Sequence, residues 1–494
     1  MSKGFMKGVR QRQRIYRSAI AALLTSSSLV SQFGLPLTAQ AQPAAYCWLS
    51  NQEITQKENL LIGALKGNSD SQKRYQALVK QHANYMQQCR ARTWPNTQAI
   101  WLRLYPCDIR AGAIDQILDS IVNRGYNQVY VEVFNDGQVL LPSSDNPTAW
   151  SSLVRSPGNE KVDLLAQAIQ KGHERGLRVY AWLFTMNFGY AYAQRPDRQA
   201  VLARNGRGET SLSFVKDGSQ AFVDPYNMQA KTDYYQLVQA VIKRRPDGVL
   251  FDYIRYPRGS GSDSVVAKLD DLWIYSDAAK QALYDRALNN KGRELIVRYI
   301  RQRYITASDV AQVNQLYPDE ATPLWQGRTP SPTDTVESLQ WQLWQLCVAH
   351  AAQGVLDFLA LATLPVERAG IKAGAVFFPD GNQAVGQGGY DSRLQPWDRF
   401  PSSLEWHAMS YGVCGTTRCI EDLVKRVVER SSSGTQVIPA LAGTWGKSVT
   451  NRPPLEVQMQ GLRLAAPQIN AVSHFAYSWQ DPGFDRDRKF CRLQ

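Results

Sequence analysis

Three apolar runs in this 494-residue chain break off in a carboxylate. They are Val129-Tyr-Val-Glu132-Val-Phe-Asn-Asp136, Leu250-Phe-Asp252 and Phe377-Phe-Pro-Asp380, and Asp481 follows a fourth run after Trp479-Gln480. Two carboxylates in different surroundings can divide into a general acid and a base or nucleophile, which is the equipment glycosidic bond cleavage requires. Asp252 and Glu132 are the expected catalytic pair, with Asp380 in reserve. Strand alternation puts Tyr130, Glu132 and Phe134 on one face, and Leu250 and Asp252 on one face. Each acid also has a plainer reading. Asp252 could be an ion-pair partner for Arg255, and Pro379-Asp380-Gly381 is an ordinary turn signal.

Aromatic residues cluster at the same places. Trp182, Tyr256, Tyr411, Trp445 and Trp479 fall at or just past apolar runs, and aromatic faces pack on the apolar face of a pyranose. Arg255 and Tyr256 are expected to orient Asp252 or the substrate, and Asn135, Asn187 and His407 are further candidate substrate contacts. Other chemistries drop out. The chain has no Gly-x-Ser-x-Gly elbow and no His-Glu-x-x-His. Leu441-Ala-Gly-Thr-Trp-Gly-Lys-Ser448 lacks the first glycine of a phosphate loop. The five histidines show no ligand spacing, so no metal and no cofactor is expected.

These residues need elements to hold them. Apolar runs predict strands over 99–105, 128–134, 178–184, 248–253, 372–378, 406–411, 436–442 and 472–479. Helical periodicity falls between them, over 109–124, 163–175, 234–244, 338–364, 420–431 and 455–465. Eight strands alternating with helices predict an α/β fold of the (β/α)8 TIM-barrel type, whose active sites lie at the C-terminal ends of the strands. A doubly wound open sheet is the alternative, but no Gly-rich turn follows the first strand. A long insertion, 258–335, leaves the strand that ends in Asp252, and the polar loop 381–397 follows the fifth strand. The expected division is a leader over 1–41, a helical hairpin over 42–97 and a glycoside-hydrolase-like barrel over 98–494.

Residues 1–41 read as a secretory signal peptide, with Lys3, Lys7, Arg10, Arg12, Arg14 and Arg17 ahead of an apolar stretch and Ala39-Gln40-Ala41. No later segment is expected to span a membrane. Removing six positive charges lowers the net charge from +13 to +7, with no basic block dense enough for nucleic acid. The expected location is the periplasm, envelope or extracellular space, and the oligomeric state is not legible. Export permits disulfides. Cys414 and Cys419 close a tight loop, and Cys47 and Cys89 flank two helical stretches that would pair antiparallel; both bridges are expected. Cys347 lies in an apolar helical pattern and reads as a buried thiol, and the pairing of Cys107 and Cys491 stays open.

The sequence resembles the glycosyl-hydrolase-like family 10, exported TIM-barrel relatives of glycoside hydrolases. Gly125-Tyr-Asn-Gln-Val-Tyr-Val-Glu132, continuing to Val139-Leu-Leu-Pro-Ser143, looks like its second strand and following loop. Asp163 to Leu177 with Val179-Tyr-Ala-Trp182 looks like its helix and third strand, and Asp247-Gly-Val-Leu-Phe-Asp-Tyr-Ile-Arg-Tyr-Pro257 is the most specific stretch. The likeness covers roughly 99–257. It implies hydrolysis of a glycan, with peptidoglycan a substrate class known in the group, Asp252 as the acid ending the fourth strand, and Trp182 lining the third. The chain departs from the family at Tyr180 and Phe184, at Tyr253 where many members have a second aspartate, and at Glu132 where glutamine is frequent. A glycan-binding protein without turnover on the same scaffold is the competing reading.

Overall fold

The computed structural model describes residues 46–135, 137–215 and 218–492. The expected leader and cleavage site lie outside the described residues. Two helices come first, α1 (Asn51–Leu65) and α2 (Ser69–Arg92). Ser50 and Glu53 close a capping box at the start of α1, and Asn68 caps α2 through the Ser71 N–H. Gly67, at φ 85°, makes the turn between them. The antiparallel pairing brings Cys47 and Cys89 to a Cα separation of 5.7 Å, and they are disulfide-bonded as expected.

Eight parallel strands then alternate with helices: β1 (Thr97–Leu102), β2 (Gln128–Asn135), β3 (Arg178–Phe184), β4 (Gly248–Asp252), β5 (Lys372–Phe377), β6 (Glu405–Ala408), β7 (Ala440–Ala442) and β8 (Ala471–Phe475). The hydrogen-bonded order runs β6-β5-β4-β3-β2-β1-β8-β7. Parallel bridges from Trp406 to Val437 and from Met409 to Ala440 close the ring. This is the α/β barrel expected from the alternation. Its outer layer comprises α3 (Ala113–Asn123), α4 (Leu164–Glu174), α5 (Met228–Ile242), α9 (Val336–Arg368), α10 (Arg418–Arg430) and α11 (Leu455–Ala465), with α12 (Pro482–Lys489) after β8.

The interior is packed with large side chains, and two glycines make room for them. A Cβ at Gly248 would stand 2.4 Å from the Tyr180 ring, and one at Gly374 would meet Leu250 and His407 at 2.7 and 2.9 Å. Trp101 occupies the centre, with ring centroids 4.8 Å from Tyr130 and 4.9 Å from Trp182. The alternation along β2 fails at one place. The pairing of β2 with β3 slips between Glu132 and Phe134, a bulge that turns Phe134 away from the Glu132 face and onto Trp150, 4.6 Å away. The expectation that Phe134 shares a face with Tyr130 and Glu132 is therefore corrected.

The insertion after β4 folds as α6 (Asp277–Tyr284), α7 (Asn290–Gln302) and α8 (Ala307–Leu316). Its short strand Val265–Val266 pairs with Gly389–Asp391 of the loop after β5, which in turn pairs with Ala384–Val385. Both long loops are thus joined in one ribbon beside the end of β4. The 33-residue α9 is long and apolar enough to cross a membrane, contrary to the expectation that no later segment qualifies. Most of its apolar window is buried, and it packs against α5 and β5 as a core helix. Cys347, on this helix, is a buried free thiol.

The N-terminal helix pair is tied to α3 and α4 by a buried charge network. Asp119 accepts from the Tyr75 hydroxyl at 2.6 Å and from Arg175 Nε at 2.9 Å, with Lys57 Nζ at 3.6 Å. Arg175 reaches Asp115 as well, so no buried charge in the group stands alone. Two more disulfides complete the chain: Cys414–Cys419, as expected, and Cys107–Cys491, which joins the segment after β1 to the residues after α12.

Candidate active site

Asp252 is the last residue of β4, and its side chain points into the barrel mouth. The backbone turns sharply after it: Tyr253 has φ 55°, the left-handed region that a bulky residue rarely adopts. That turn directs the Tyr253 N–H to Asp252 Oδ1 at 2.6 Å, while Trp182 Nε1 donates to Oδ2 at 3.1 Å. The residue is only 6% exposed. Burial raises the Asp252 carboxyl to about 6, against the opposing pull of those hydrogen bonds and of Arg255; the Glu132 charge adds to the rise.

Glu132 enters the same barrel interior from two strands away. It is level with Trp182 on β3, which is level with Leu250 on β4, and Asp252 stands one inward position further along. Its surroundings are polar. Arg103, one inward position beyond Trp101, donates Nη2 to Oε1 at 2.7 Å and Nε to Oε2. Asn135 also donates to Oε2, having returned to this side through the bulge. Glu132 is thus engaged as an anion, whereas Asp252 is desolvated toward its neutral form. Such a division of environments between two carboxylates is what acid and base roles require.

A cavity of about 220 Å³ opens over Asp252. Trp101, Trp182, Phe184, Tyr253, Phe378, Met409, Tyr411 and Phe475 line it, with Arg103 and Arg255 as its basic members. Phe184 and Tyr253 lie 4.2 Å apart at their centroids, and Tyr411 packs on Phe475 at 5.6 Å. Burial and the charge of Asp252 both raise the Tyr411 phenol, so it remains a hydrogen-bond donor at neutral pH.

The structure brings Asp252, Trp182, Arg255 and Tyr411 to this cavity, with Glu132 and Asn135 behind Arg103. The other candidate residues lie off the lining of this cavity. His407 is fully buried one layer down, bonded to Glu405 at 3.4 Å and faced by Tyr130. Tyr256 is buried beneath α9 with its hydroxyl on Ala351 O. The Asn187 Oδ1 accepts from Gly189 and Ala221 N–H groups, holding the loop after β3. Trp445 packs between Tyr46 and Trp48, 4.8 and 5.1 Å away, and donates to Tyr126 Oη. Trp479 sits half-buried past β8, off the cavity lining. Asp380 pairs with Arg393 at 3.1 Å and also stands off the lining.

Sequence reasoning overlooked Arg103, although it carries the signal that singled out Asp252: a lone charge interrupting an apolar run where a strand leaves the barrel. Phe184 and Tyr253 stood out in the sequence only as departures from the family pattern, and Phe378 and Phe475 carried no signal beyond strand-end apolar residues. Only the closure of the ring brings them together.

Eight parallel strands, a carboxylate at the end of the fourth and an aromatic-lined hollow above it define an α/β barrel with a candidate active site at the C-terminal ends of its strands. The model of the family glycosyl hydrolase-like 10 matches residues 97–317, which carries the resemblance seen in the sequence from β1 through much of the insertion. Glycosyl hydrolase DigH of Escherichia coli (strain K12) is 27% identical over 155 residues, covering 29% of this chain and 34% of DigH. The protein of the same name from Shigella flexneri matches to the same extent. The chain spans about a third of the length of the curated relatives it matches. Among solved structures, the PgaB (BpsB) glycoside hydrolase domain from Bordetella bronchiseptica aligns with 79% of this chain and 98% of its own, at 15% identity and a TM-score of 0.47. A β-galactosidase from Halorubrum lacusprofundi aligns with 77% and 52%, at 12% identity and a TM-score of 0.44.

Proposed function

We propose that this protein hydrolyses glycosidic bonds, with Asp252 as general acid and Glu132 as the anionic partner that serves as base or nucleophile. The observation that carries the reading is the contrast between two buried carboxylates at one end of the barrel: Asp252 lines the cavity and is raised to about 6, whereas Glu132, behind Arg103, is engaged by Arg103 and Asn135. Trp182 orients the acid, and the aromatic lining supplies faces for a sugar ring. The substrate is an exported or envelope polysaccharide, peptidoglycan glycan strands foremost. The basic leader, the three disulfides and the matched family support that assignment.

The test is reducing-end release from purified peptidoglycan and from neutral polysaccharides by wild type, Asp252→Asn and Glu132→Gln. Loss of product in both variants supports the pair. Equal product from wild type and Asp252→Asn removes Asp252 from the mechanism. One observation favours a second reading, glycan binding without turnover: Arg103 and Asn135 between them engage both oxygens of Glu132. Binding by wild type with no product from any polymer would establish it.

A further inference from the structure

Arg255 stands three residues past Asp252, on the far side of the Tyr253 turn, and lines the same cavity. It is 6% exposed. Its Nη1 donates to Tyr256 O at 2.9 Å, and its enclosed Nε has no acceptor. Among the described residues it forms no ion pair. The carboxylate closest in sequence, Asp252, spends its oxygens on Tyr253 N–H and Trp182 Nε1. What surrounds the guanidinium is aromatic: the rings of Tyr253, Phe222 and Phe378 lie 4.6, 5.4 and 5.6 Å from its central carbon.

The neighbouring charges deepen the imbalance. Arg258 and Arg393 also approach the Phe378 ring, at 5.7 and 4.6 Å. Arg393 is neutralised by Asp391 and Asp380, whereas Arg258 is exposed and has no ion pair among the described residues. Arg103, across the cavity, is spent on Glu132. A guanidinium taken out of water without a direct ion pair is costly; the Asp252 charge acts on it only from beyond contact, and aromatic faces return only part of that cost. A planar carboxylate is the ligand whose geometry matches the unused donors.

We propose that Arg255 receives a carboxylate carried by the substrate, so that the glycan taken by this cavity is acidic. The proposal rests on the cavity being a sugar site, and it goes beyond that reading by assigning the substituent and the residue that selects it. A C6 carboxylate of a hexuronic acid and a carboxylate on an ether substituent of the ring present the same chemistry.

The experiment measures binding, so that it does not depend on turnover. Asp252→Asn protein is titrated calorimetrically with an oligosaccharide of hexuronic acid, with one bearing ether-linked carboxylates, and with each after reduction of its carboxyls to alcohols. The expected result is at least tenfold tighter binding of one acid form than of its reduced counterpart. The acid form that shows it identifies the source. The double variant D252N/R255Q is expected to lose that discrimination. Equal affinity for acid and reduced forms, no binding of any probe, or discrimination that survives Arg255→Gln overturns the proposal. A crystal structure of the Asp252→Asn complex supplies a readout independent of the arginine variant: the carboxylate must lie on the Arg255 guanidinium, and a position elsewhere overturns it. Discrimination in binding with no cleavage by wild type would refute the hydrolase reading and leave Arg255 in its role.

Discussion

Asp252 sits between conflicting demands, since burial favours its neutral form while two hydrogen bonds and Arg255 favour the anion. Burial wins, and the carboxyl is raised from 3.8 to about 6. The sign follows from linkage: between those values the native state holds more protons than the unfolded chain, so stability falls as pH rises across that interval. The full effect, reached above about pH 6, is on the order of 3 kcal/mol as an upper bound. Asp252→Asn is therefore expected to unfold at higher urea than wild type at pH 7, with the gap closing below about pH 4. A general acid with this carboxyl also loses its proton above about pH 6, so kcat/KM on any cleaved glycan should fall on that limb. Asp252→Asn should cost roughly 10²–10⁴-fold in turnover at pH 6. Asp252 was legible because few structural roles place a charge at the end of an apolar run. His407 and Trp445 carried no comparable signal. Whether a histidine on a barrel strand points inward at the rim or one layer below depends on the tilt of the whole sheet, which local sequence does not encode.

At the scale of elements, strands and helices were readable because each apolar run needs burial on both faces and each helix needs one buried stripe. Boundaries moved by a few residues at most strands; β7 is three residues long where the apolar run suggests seven. The bulge in β2 was invisible, because strict alternation and a one-residue slip fit the same letters. It matters functionally, since it returns Asn135 to the side of Glu132. Gly248 and Gly374 were unremarkable in the sequence, yet they make the space in which Tyr180 and His407 pack. Gly374→Ala forces a Cβ to within 2.7 Å of Leu250 and 2.9 Å of His407. It should destabilise the fold by roughly 1–3 kcal/mol, read from a urea midpoint.

For the molecule as a whole, the eight-strand rhythm announced a barrel, but the distribution of its fastenings became apparent only in three dimensions. The expected bridges, Cys47–Cys89 and Cys414–Cys419, are local in sequence. Cys107–Cys491 spans 384 positions, and no spacing rule could have paired them. Replacing both by serine should lower stability by roughly 2–4 kcal/mol in urea under oxidising conditions, and a reducing agent should no longer distinguish wild type from the variant. That long bridge also sets an order of events. As the chain emerges from its amino end, Cys47 and Cys89 can be oxidised early, and Cys414 can join Cys419 five residues later. Cys107 must wait as a thiol until nearly all the remaining sequence has arrived. It is thus the chain's own chronometer: a pulse-labelled population trapped by alkylation should pause with two bridges made and one reactive pair outstanding, and the disappearance of that pair should mark the moment at which β8 has closed the ring against β1.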